Sequence, residues 1–255
     1  MLLDAWRLAV GTLSALPVTP PRSVDRQRAG VAMVLAPLAV VPLGVAVAVL
    51  CVVGAWLGLP VAVTAILAIG ASIGGNRGFH LDGLSDVADG LAASFDRERS
   101  LAVMKSGTSG PAGVVATVLV LGLQVAALAS LLSSVEPWRA GMLAGVALCV
   151  ARVALAACCA RGVRAARADG LGRTYTQTVP RSVVALVWVL AAGVLGVVAG
   201  SAGLAWWRGV VAVVVAAVVV GVVIARALRR FGGVTGDVFG ACVEMAFAAV
   251  LVALS

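Results

Sequence analysis

Seven apolar runs, most of them long enough to cross a lipid bilayer, divide this sequence. They lie at residues 31–53, 61–73, 113–132, 141–160, 183–200, 209–225 and 238–254. Because 62% of the residues are hydrophobic and only 12% are charged, the chain falls outside the composition of soluble domains. Runs of this length in hydrocarbon form helices, which satisfy their own backbone polar groups. The sequence therefore predicts an all-α, polytopic integral membrane helical bundle of about seven transmembrane helices.

Some parts of this bundle are less regular. The second and seventh runs are short for a span, and the second is expected to continue as a shielded helix towards the acidic motif that follows it. A kink is expected in the first run at Pro37 and Pro42. The short apolar stretch at residues 8–16 indicates an interfacial or re-entrant segment. No linker divides the chain, so residues 1–255 are predicted to form one membrane-embedded catalytic domain.

Basic residues are concentrated in every second loop. Sixteen of them lie before the first run or after the second, fourth and sixth, whereas the opposite loops hold only Arg139 and Arg208. Since basic loops remain in the cytoplasm, this asymmetry predicts an inner-membrane protein with its N-terminus and long loops in the cytoplasm. Topology and contact with the anionic lipid bilayer explain the net charge of +8, and no nucleic-acid partner is expected.

The most informative polar segment is residues 80–90, which carries three of the eleven acidic residues, Asp82, Asp86 and Asp89. On a helix, the i, i+4, i+7 spacing places these carboxylates within an arc of roughly 60°. Three carboxylates so close would repel one another unless a cation lay between them. A hard divalent cation such as Mg²⁺ is the obvious candidate, since it prefers oxygen ligands.

A second pair of acids lies at the start of the last run. Asp237 and Glu244 are seven residues apart and so share one face of a helix within about 20°. Glu244 would enter the bilayer, where a charge costs on the order of 3 kcal/mol and requires a polar partner. Arg152, the only base well inside a run, is a candidate for that partner or for a phosphate contact.

These residues also have ordinary structural explanations. An acidic cluster in a loop is most often a solvated face, and a lone histidine such as His80 more often packs than acts as a base. Here Gly83 and Gly90 permit close approach to a ligand, and bases follow the acids, which favours chemistry at a pyrophosphate. The five cysteines have no CxxC pairing and are expected to pack as small apolar residues; they are Cys51, Cys149, Cys158, Cys159 and Cys242.

Two ordered motifs carry a family resemblance. Residues 76–90, NRGFHLDGLSDVADG, resemble the signature G-x-H-L-D-G-L-A-D-T-x-D-G of the cobalamin synthase family, the adenosylcobinamide-GDP ribazoletransferases. Residues 232–241, GGVTGDVFGA, resemble its second signature, G-G-x-T-G-D-x-x-G-A, with Glu244 downstream. Arg152, the segment 161–172 with its Gly170-Leu-Gly, and the N-terminal residues 13–18 also resemble the family in order and spacing. The resemblance thus extends over nearly the whole chain.

The resemblance implies a Mg²⁺-dependent transferase of cobalamin biosynthesis that assembles the nucleotide loop. Adenosylcobinamide-GDP would react with α-ribazole, or with its 5′-phosphate, to give adenosylcobalamin or its 5′-phosphate and GMP. The implied metal ligands are Asp82, Asp86 and Asp89, with Asp89 or Asp86 as the alternative acceptor of the ribazole proton. His80 joins these acids as an implied catalytic residue. The implied substrate-binding residues are Asn76, Lys105, Arg152, Arg161, Asp237 and Glu244.

One loop departs from the family pattern. After Met-Lys at 104 and 105 the family usually continues D-S-R-x-G-T-x-G, whereas this chain has Ser106 and Thr108 in place of the acid and the arginine. Lys105, Gly110 and Gly113 are kept. If the missing pair normally holds metal or phosphate, another group must replace it here. We also expect a wide cytoplasmic cavity near Asp82, rimmed by the basic loops, to admit the corrinoid.

Two alternative functions remain open at this stage. A CDP-alcohol phosphotransferase performs analogous chemistry with CMP as the leaving group, but its D-G-x-x-A-R pattern is not matched, because Asp86-Val87 stands where Ala-Arg is required. A cation-coupled transporter could use the same intramembrane acids to bind ions. The sequence does not determine the oligomeric state or the number of metal ions.

Overall fold

In the computed structural model of the protein, which describes residues 1–167 and 171–255, nearly all regular structure is helical. The described residues contain no strand beyond two isolated parallel bridges, Ala160 with Val179 and Ala165 with Val234. In chain order, the helices are α1 (Leu2–Leu13), α2 (Arg26–Ala39), α3 (Val41–Trp56), α4 (Val61–Gly75), α5 (Phe79–Ala93), α6 (Arg97–Met104), α7 (Pro111–Ser134), α8 (Pro137–Ala151), α9 (Val153–Cys158), α10 (Leu171–Tyr175), α11 (Arg181–Ser201), α12 (Trp206–Phe231) and α13 (Gly236–Leu254).

The predicted membrane bundle is confirmed. Within residues 1–167 and 171–255, six helical segments are long and apolar enough to span a bilayer: α2 with α3, α7, α8 with α9, α11, α12 and α13. The pair α4 and α5 makes a seventh if it is counted as one broken span. In the first run, where a kink is predicted at Pro37 and Pro42, the helix is interrupted at Val40, the single non-helical residue between α2 and α3.

The second predicted span ends in a sharp turn. Helix α4 is about 22 Å long, which is short of the roughly 30 Å hydrocarbon core. Arg77 and Gly78 both have positive φ, 62° and 69°, and α5 leaves this turn at 91° to α4. A left-handed conformation suits Gly78 because it has no Cβ. The turn therefore sends the acidic helix α5 across one end of the bundle and not straight through it.

Loop contacts define two ends of the bundle. At one end Arg97 Nε donates to the carbonyl of Phe231 at 2.7 Å, and its Nη2 donates to the carbonyl of Ala166 at 2.6 Å. At the other end Arg208 Nη2 donates to the carbonyl of Leu254 at 2.7 Å. The first end carries residues 76–110, 159–167, 171–180 and 232–236, and is called the acidic end below. The loops predicted to be cytoplasmic therefore meet at one end.

The N-terminal segment is a short helix at the acidic end. Helix α1 has 12 residues, about 18 Å, and packs against α2, while Leu2, Leu3 and Trp6 remain exposed. Asp4 accepts a hydrogen bond from the backbone N–H of Arg22 at 3.2 Å, and Arg28 Nε lies 3.5 Å from its other oxygen. The Arg22 N–H, assisted by the nearby positive charges, lowers the pKa of Asp4. This carboxylate ties α1 to the chain that leads into α2.

Candidate active site

The two signature motifs meet where α5 crosses α13. A Cβ added at Gly83 would lie 2.6 Å from the carbonyl oxygen of Asp237, and one added at Gly240 would lie 2.8 Å from the carbonyl oxygen of His80. Glycine at both positions permits the two backbones to touch, as small residues commonly do in membrane helices. Residues that are more than 150 positions apart in sequence are thereby brought into one site at the acidic end.

Three carboxylates lie on the accessible side of this crossing. Asp82 is exposed, and Asp86 and Asp237 are half-buried. The side chains of Asp82 and Asp86 have no hydrogen-bond or ion-pair partner among the residues that the structure describes. Asp237 accepts a hydrogen bond from Thr235 Oγ1 at 3.0 Å. The negative charges of Asp82 and Asp237 both act on Asp86. Because the three carboxylates repel one another, a bound cation would stabilise their charged forms.

Asp89 has a different environment from the other acids of α5. It is only 6% exposed, and it points at the N-terminus of α7. Its Oδ2 accepts the backbone N–H of Gly110 at 2.7 Å, and its Oδ1 accepts that of Gly113 at 2.8 Å. The predicted shared face is present on α5, but burial increases along it from Asp82 through Asp86 to Asp89. The three acids are therefore not equivalent in their surroundings.

The accessible carboxylates can be tested for their fit to a divalent cation. No three His, Cys, Asp or Glu side chains among the described residues converge closely enough to hold a metal by themselves. Mg²⁺, however, usually keeps several waters and binds one or two carboxylates together with substrate phosphates. The unpartnered oxygens of Asp82 and Asp86 suit that mode of binding. These two residues fit a cation that arrives with, or is completed by, an anionic substrate.

Several of the basic residues at the acidic end are already engaged by the protein itself. Many act as clamps on backbone carbonyls: Arg26 on Arg173 and Thr176, Arg77 on Gly11, Arg97 on Ala166 and Phe231, Arg181 on Arg161, and Arg230 on Leu91 and Ser94. Lys105 is exposed in the loop between α6 and α7, and Arg161 is exposed after α9. These two predicted substrate contacts are accessible from solvent at the acidic end.

A cluster of buried polar residues lies beneath the crossing. Glu244, 4% exposed, accepts a hydrogen bond from Gln124 Nε2 at 2.9 Å, and His80 Nδ1 lies 3.8 Å from its other oxygen. Asn76 Nδ2 lies 3.5 Å from the same His80 nitrogen. Arg152, 1% exposed, completes this buried cluster and donates from Nη1 to the carbonyl of Leu148 at 2.8 Å.

The buried cluster refines three sequence predictions. Glu244 does face a polar partner inside the bundle, as its position in an apolar helix required, but the partner in direct contact is Gln124. Arg152 makes no direct ion pair with Glu244, although their charges interact. Neither His80 nor Arg152 is accessible in this conformation, so both lie behind the carboxylates and away from the solvent side.

Two residues of this region were not singled out from the sequence. Gln124 is fully buried in α7, and the signal for it was an amide in the middle of an otherwise apolar run. Arg167 is the base whose charge acts on both Asp86 and Asp237, and its Nη2 also donates to the carbonyl of Leu101. Nothing in the spacing of Arg167 distinguished it from the other loop bases, because the turn after α9 decides where it points.

The altered loop and the segment after α9 each make local contacts at the acidic end. Ser106 Oγ lies 3.0 Å from Thr108 Oγ1, and this pair occupies the positions of the family's acid and arginine. In the segment 161–172, the backbone of Arg161 donates to the carbonyl of Val179 at 2.9 Å. Residues 168–170, which include the first glycine of the Gly170-Leu-Gly motif, lie outside the described part of the chain.

Two cavities are prominent in the bundle. A small one of about 30 Å³ lies beside His80 and is lined by Phe79, Tyr175 and Phe239 among others. A larger apolar groove of about 530 Å³ lies between α2, α3, α8 and α11. Asp82 lines neither of them, so the predicted wide cavity near this residue is not confirmed in this conformation.

Known proteins resemble this chain over nearly its whole length, including the residues of the candidate site. Residues 5–255 match the protein family described as cobalamin-5-phosphate synthase. An adenosylcobinamide-GDP ribazoletransferase of a Nocardioides species is 52% identical over 250 residues, covering 98% of this chain and 97% of the relative. Proteins of the same name from Frankia casuarinae and Pseudomonas fluorescens SBW25 are 35% and 34% identical, and the matches cover the full length of this chain and 95% and 100% of the relatives.

No solved structure matches the chain at a significant level. The family match includes both signature motifs, and the structure brings those motifs together at the crossing of α5 and α13. The resemblance first noted in two short segments therefore extends to the full length of the chain. The chain belongs to the cobalamin-5-phosphate synthase family.

Proposed function

We propose that this chain is a Mg²⁺-dependent adenosylcobinamide-GDP ribazoletransferase, with all 255 residues forming one catalytic unit. The relatives carry this activity in their names, and they match the chain nearly end to end. The observation that carries the proposal is the meeting of two acidic motifs, where the side chains of Asp82 and Asp86 have no partner among the described residues and Asp237 lies opposite them. A site of this kind suits a substrate whose pyrophosphate brings negative charge that a cation must neutralise.

The proposed reaction is a direct displacement at phosphorus. The hydroxyl oxygen of α-ribazole, or of its 5′-phosphate, forms a bond to the phosphorus attached to cobinamide, and the bond from that phosphorus to the oxygen of GMP breaks. When bound, Mg²⁺ would neutralise the charge on the pyrophosphate and on the departing GMP. Asp82 and Asp86 would hold it, and Asp237 lies close enough to contribute to the same charged region.

Removal of the proton from the ribazole hydroxyl requires a carboxylate that this hydroxyl can reach. Asp89 is buried, and both of its oxygens accept backbone hydrogen bonds, so it cannot approach the ribazole hydroxyl without rearrangement. Asp86 is half-buried and has no partner among the described residues. Of these two acids, Asp86 is therefore the better acceptor of the hydroxyl proton, which would be taken by a carboxylate oxygen that does not hold the cation. Lys105 and Arg161 would contact substrate phosphate from the solvent side.

The proposed location is the cytoplasmic membrane, with the acidic end facing the cytoplasm. Sixteen basic residues belong to loops at or leading to this end, against two at the other, which is the distribution expected for the cytoplasmic face. Both substrates would then reach the site from the aqueous side. The lipid bilayer surrounds the apolar faces of the spanning helices.

A turnover assay tests the proposal. The purified protein in detergent, given adenosylcobinamide-GDP, α-ribazole and Mg²⁺, is expected to form adenosylcobalamin and release one GMP for each product formed. Chelation of the divalent ion is expected to abolish turnover, and parallel assays with α-ribazole 5′-phosphate identify the preferred acceptor. Absence of turnover with any divalent ion and either acceptor would contradict the proposal. Corrinoid uptake into proteoliposomes without GMP release would favour the transporter instead.

The close helix crossing predicts a steric effect on this activity. In Gly83→Ala the new methyl group would lie 2.6 Å from the Asp237 carbonyl oxygen and 2.9 Å from its Cα, so α5 and α13 must separate. Displacement of catalytic groups by about 1 Å can cost up to about 100-fold in rate, and we expect GMP release to fall on that order.

The matched control is Gly70→Ala in α4, where a Cβ meets no atom within 4 Å. This variant is expected to retain wild-type turnover. Equal activity of Gly83→Ala and Gly70→Ala would show that the spacing of α5 and α13 does not matter for the reaction.

A further inference from the structure

We propose that Asp89 is a positioning residue that does not bind the metal, and that it holds the loop bearing Lys105 against α5. Lys105 is the single lysine among the 19 basic residues of the chain. The inference refines the proposed function, because it assigns different tasks to three acids that the sequence presents as equivalent. It rests on the contacts of Asp89 with the α6–α7 loop, defined here as residues 105–110.

Both oxygens of Asp89 are engaged by the start of α7. They accept the backbone N–H groups of Gly110 and Gly113, at 2.7 and 2.8 Å, which otherwise have no partner in the first turn of a helix. A carboxylate at this position also interacts favourably with the helix dipole. Asp89 could turn towards a metal only by releasing these two donors. Asp82 and Asp86 would give up no such contact.

Gly110, at the end of the loop, and Gly113, in the first turn of α7, leave room for this carboxylate. A Cβ at Gly110 would lie 2.6 Å from Asp89 Oδ1, and one at Gly113 would lie 2.3 Å from Asp89 Oδ2 and 2.2 Å from Ser85 Oγ. Ser85 Oγ also lies 3.4 Å from Ser109 Oγ. The sequence keeps glycine at both positions because the start of α7 approaches α5 too closely for any side chain.

The other end of the loop is anchored to the same helix. Met104 is buried against Gly90, where a Cβ would lie 2.5 Å from Met104 Cγ. Lys105 follows Met104 directly and is exposed. The α6–α7 loop is thus fixed to α5 at Met104 on one side and through Asp89 on the other. This arrangement places Lys105 at the acidic end, where a substrate phosphate would be bound.

Proteolysis at Lys105 provides a test that does not depend on activity. A lysine-specific endoproteinase has one site in the full chain, and cleavage there should track the fraction of molecules in which the loop is open. Asp89→Asn keeps the size of the side chain but turns an NH₂ group towards one of the two N–H donors. We expect cleavage to accelerate about five- to tenfold in Asp89→Asn, as loss of a helix cap implies, and to stay at the wild-type rate in Asp82→Asn and Asp86→Asn.

Kinetics separate a positioning role from metal binding. The Mg²⁺ concentration for half-maximal activity should rise in Asp82→Asn or Asp86→Asn, measured on any residual activity, and should remain at the wild-type value in Asp89→Asn. The KM for adenosylcobinamide-GDP should rise in Asp89→Asn and in Lys105→Gln. The double variant should show no further rise beyond Lys105→Gln, because both changes remove the same contact.

A second variant keeps the test decisive if Asp89→Asn does not fold. Gly113→Ala leaves the Asp89 carboxylate chemically intact but displaces the start of α7, and it should reproduce the faster cleavage at Lys105 with an unchanged Mg²⁺ midpoint. Wild-type cleavage in Asp89→Asn, together with a raised Mg²⁺ midpoint, would overturn the proposal and make Asp89 a metal ligand. The proteolysis result stands even if the proposed transferase activity is not found.

Discussion

Replacing Asp82 or Asp86 by Asn is expected to lower GMP release about 100-fold or more while the bundle stays folded. Each change removes one negative charge from a pair with no partner among the described residues, and metal ligands and their immediate supports typically contribute at least 10- to 100-fold. Because neither side chain makes a described hydrogen bond, the free energy of unfolding should change little. Steady-state GMP release and thermal unfolding in detergent provide the two measurements.

The control for these variants is Glu98→Gln. Glu98 is an exposed acid in the first turn of α6, at the same end of the bundle, and it makes no hydrogen bond or ion pair with a described residue. Glu98→Gln removes one negative charge from the same end of the bundle and should retain full activity. Full activity in both Asp82→Asn and Asp86→Asn would remove these residues from the metal site. Comparable losses in all three variants would indicate only a general effect of surface charge.

The second large effect is expected in the buried cluster, on stability. Glu244→Met removes the carboxylate that accepts from Gln124 Nε2, leaving it only the backbone carbonyl of residue 244 at 3.4 Å, and takes away the acid whose charge acts on Arg152. Breaking a buried charge interaction from one side costs about 3–5 kcal/mol when the partners are in direct contact. Since these two groups do not form a direct pair, we expect the free energy of unfolding to fall by about 2–4 kcal/mol.

A double variant distinguishes charge from packing. In Glu244→Met combined with Arg152→Met neither charge remains, so at least half of the lost stability should return. Exposed Glu136, in the loop between α7 and α8, offers a control, and Glu136→Gln should unfold as the wild type does. Losses that simply add in the double variant would mean that Glu244 and Arg152 are not coupled, and that each is held by its own neutral contacts.

The polar positions show where sequence reasoning succeeds and where it fails. A charge in an apolar helix must have a partner, so the need of Glu244 for a polar neighbour was predictable from its position alone. The identity of that neighbour was not, because Gln124 lies 120 residues away on α7 and reaches Glu244 only through packing. Arg152 was the more obvious candidate by charge, yet from its place at the break between α8 and α9 it donates to the carbonyl of Leu148 in α8.

The basic residues also have one property that the sequence predicts and one that depends on the fold. Their alternation between loops follows from topology and could be read from the sequence. Tertiary contacts decide which of them donate to backbone carbonyls, as Arg97 does, and which make no side-chain bond to a described residue, as is the case for Lys105. A count of bases near the acids therefore overestimates the number available to bind phosphate.

The sequence by itself determined that this protein is a helical membrane bundle with two acidic motifs, because hydrophobic length and the spacing of acids are local properties. Only the tertiary structure decided how the acids differ. The 91° turn at Arg77 and Gly78 lays α5 across α13 and against the start of α7, so that Asp82 and Asp86 remain accessible while Asp89 is taken up by two backbone N–H groups. Burial and hydrogen-bond partners come from contacts between distant segments, and periodicity along one helix does not encode them.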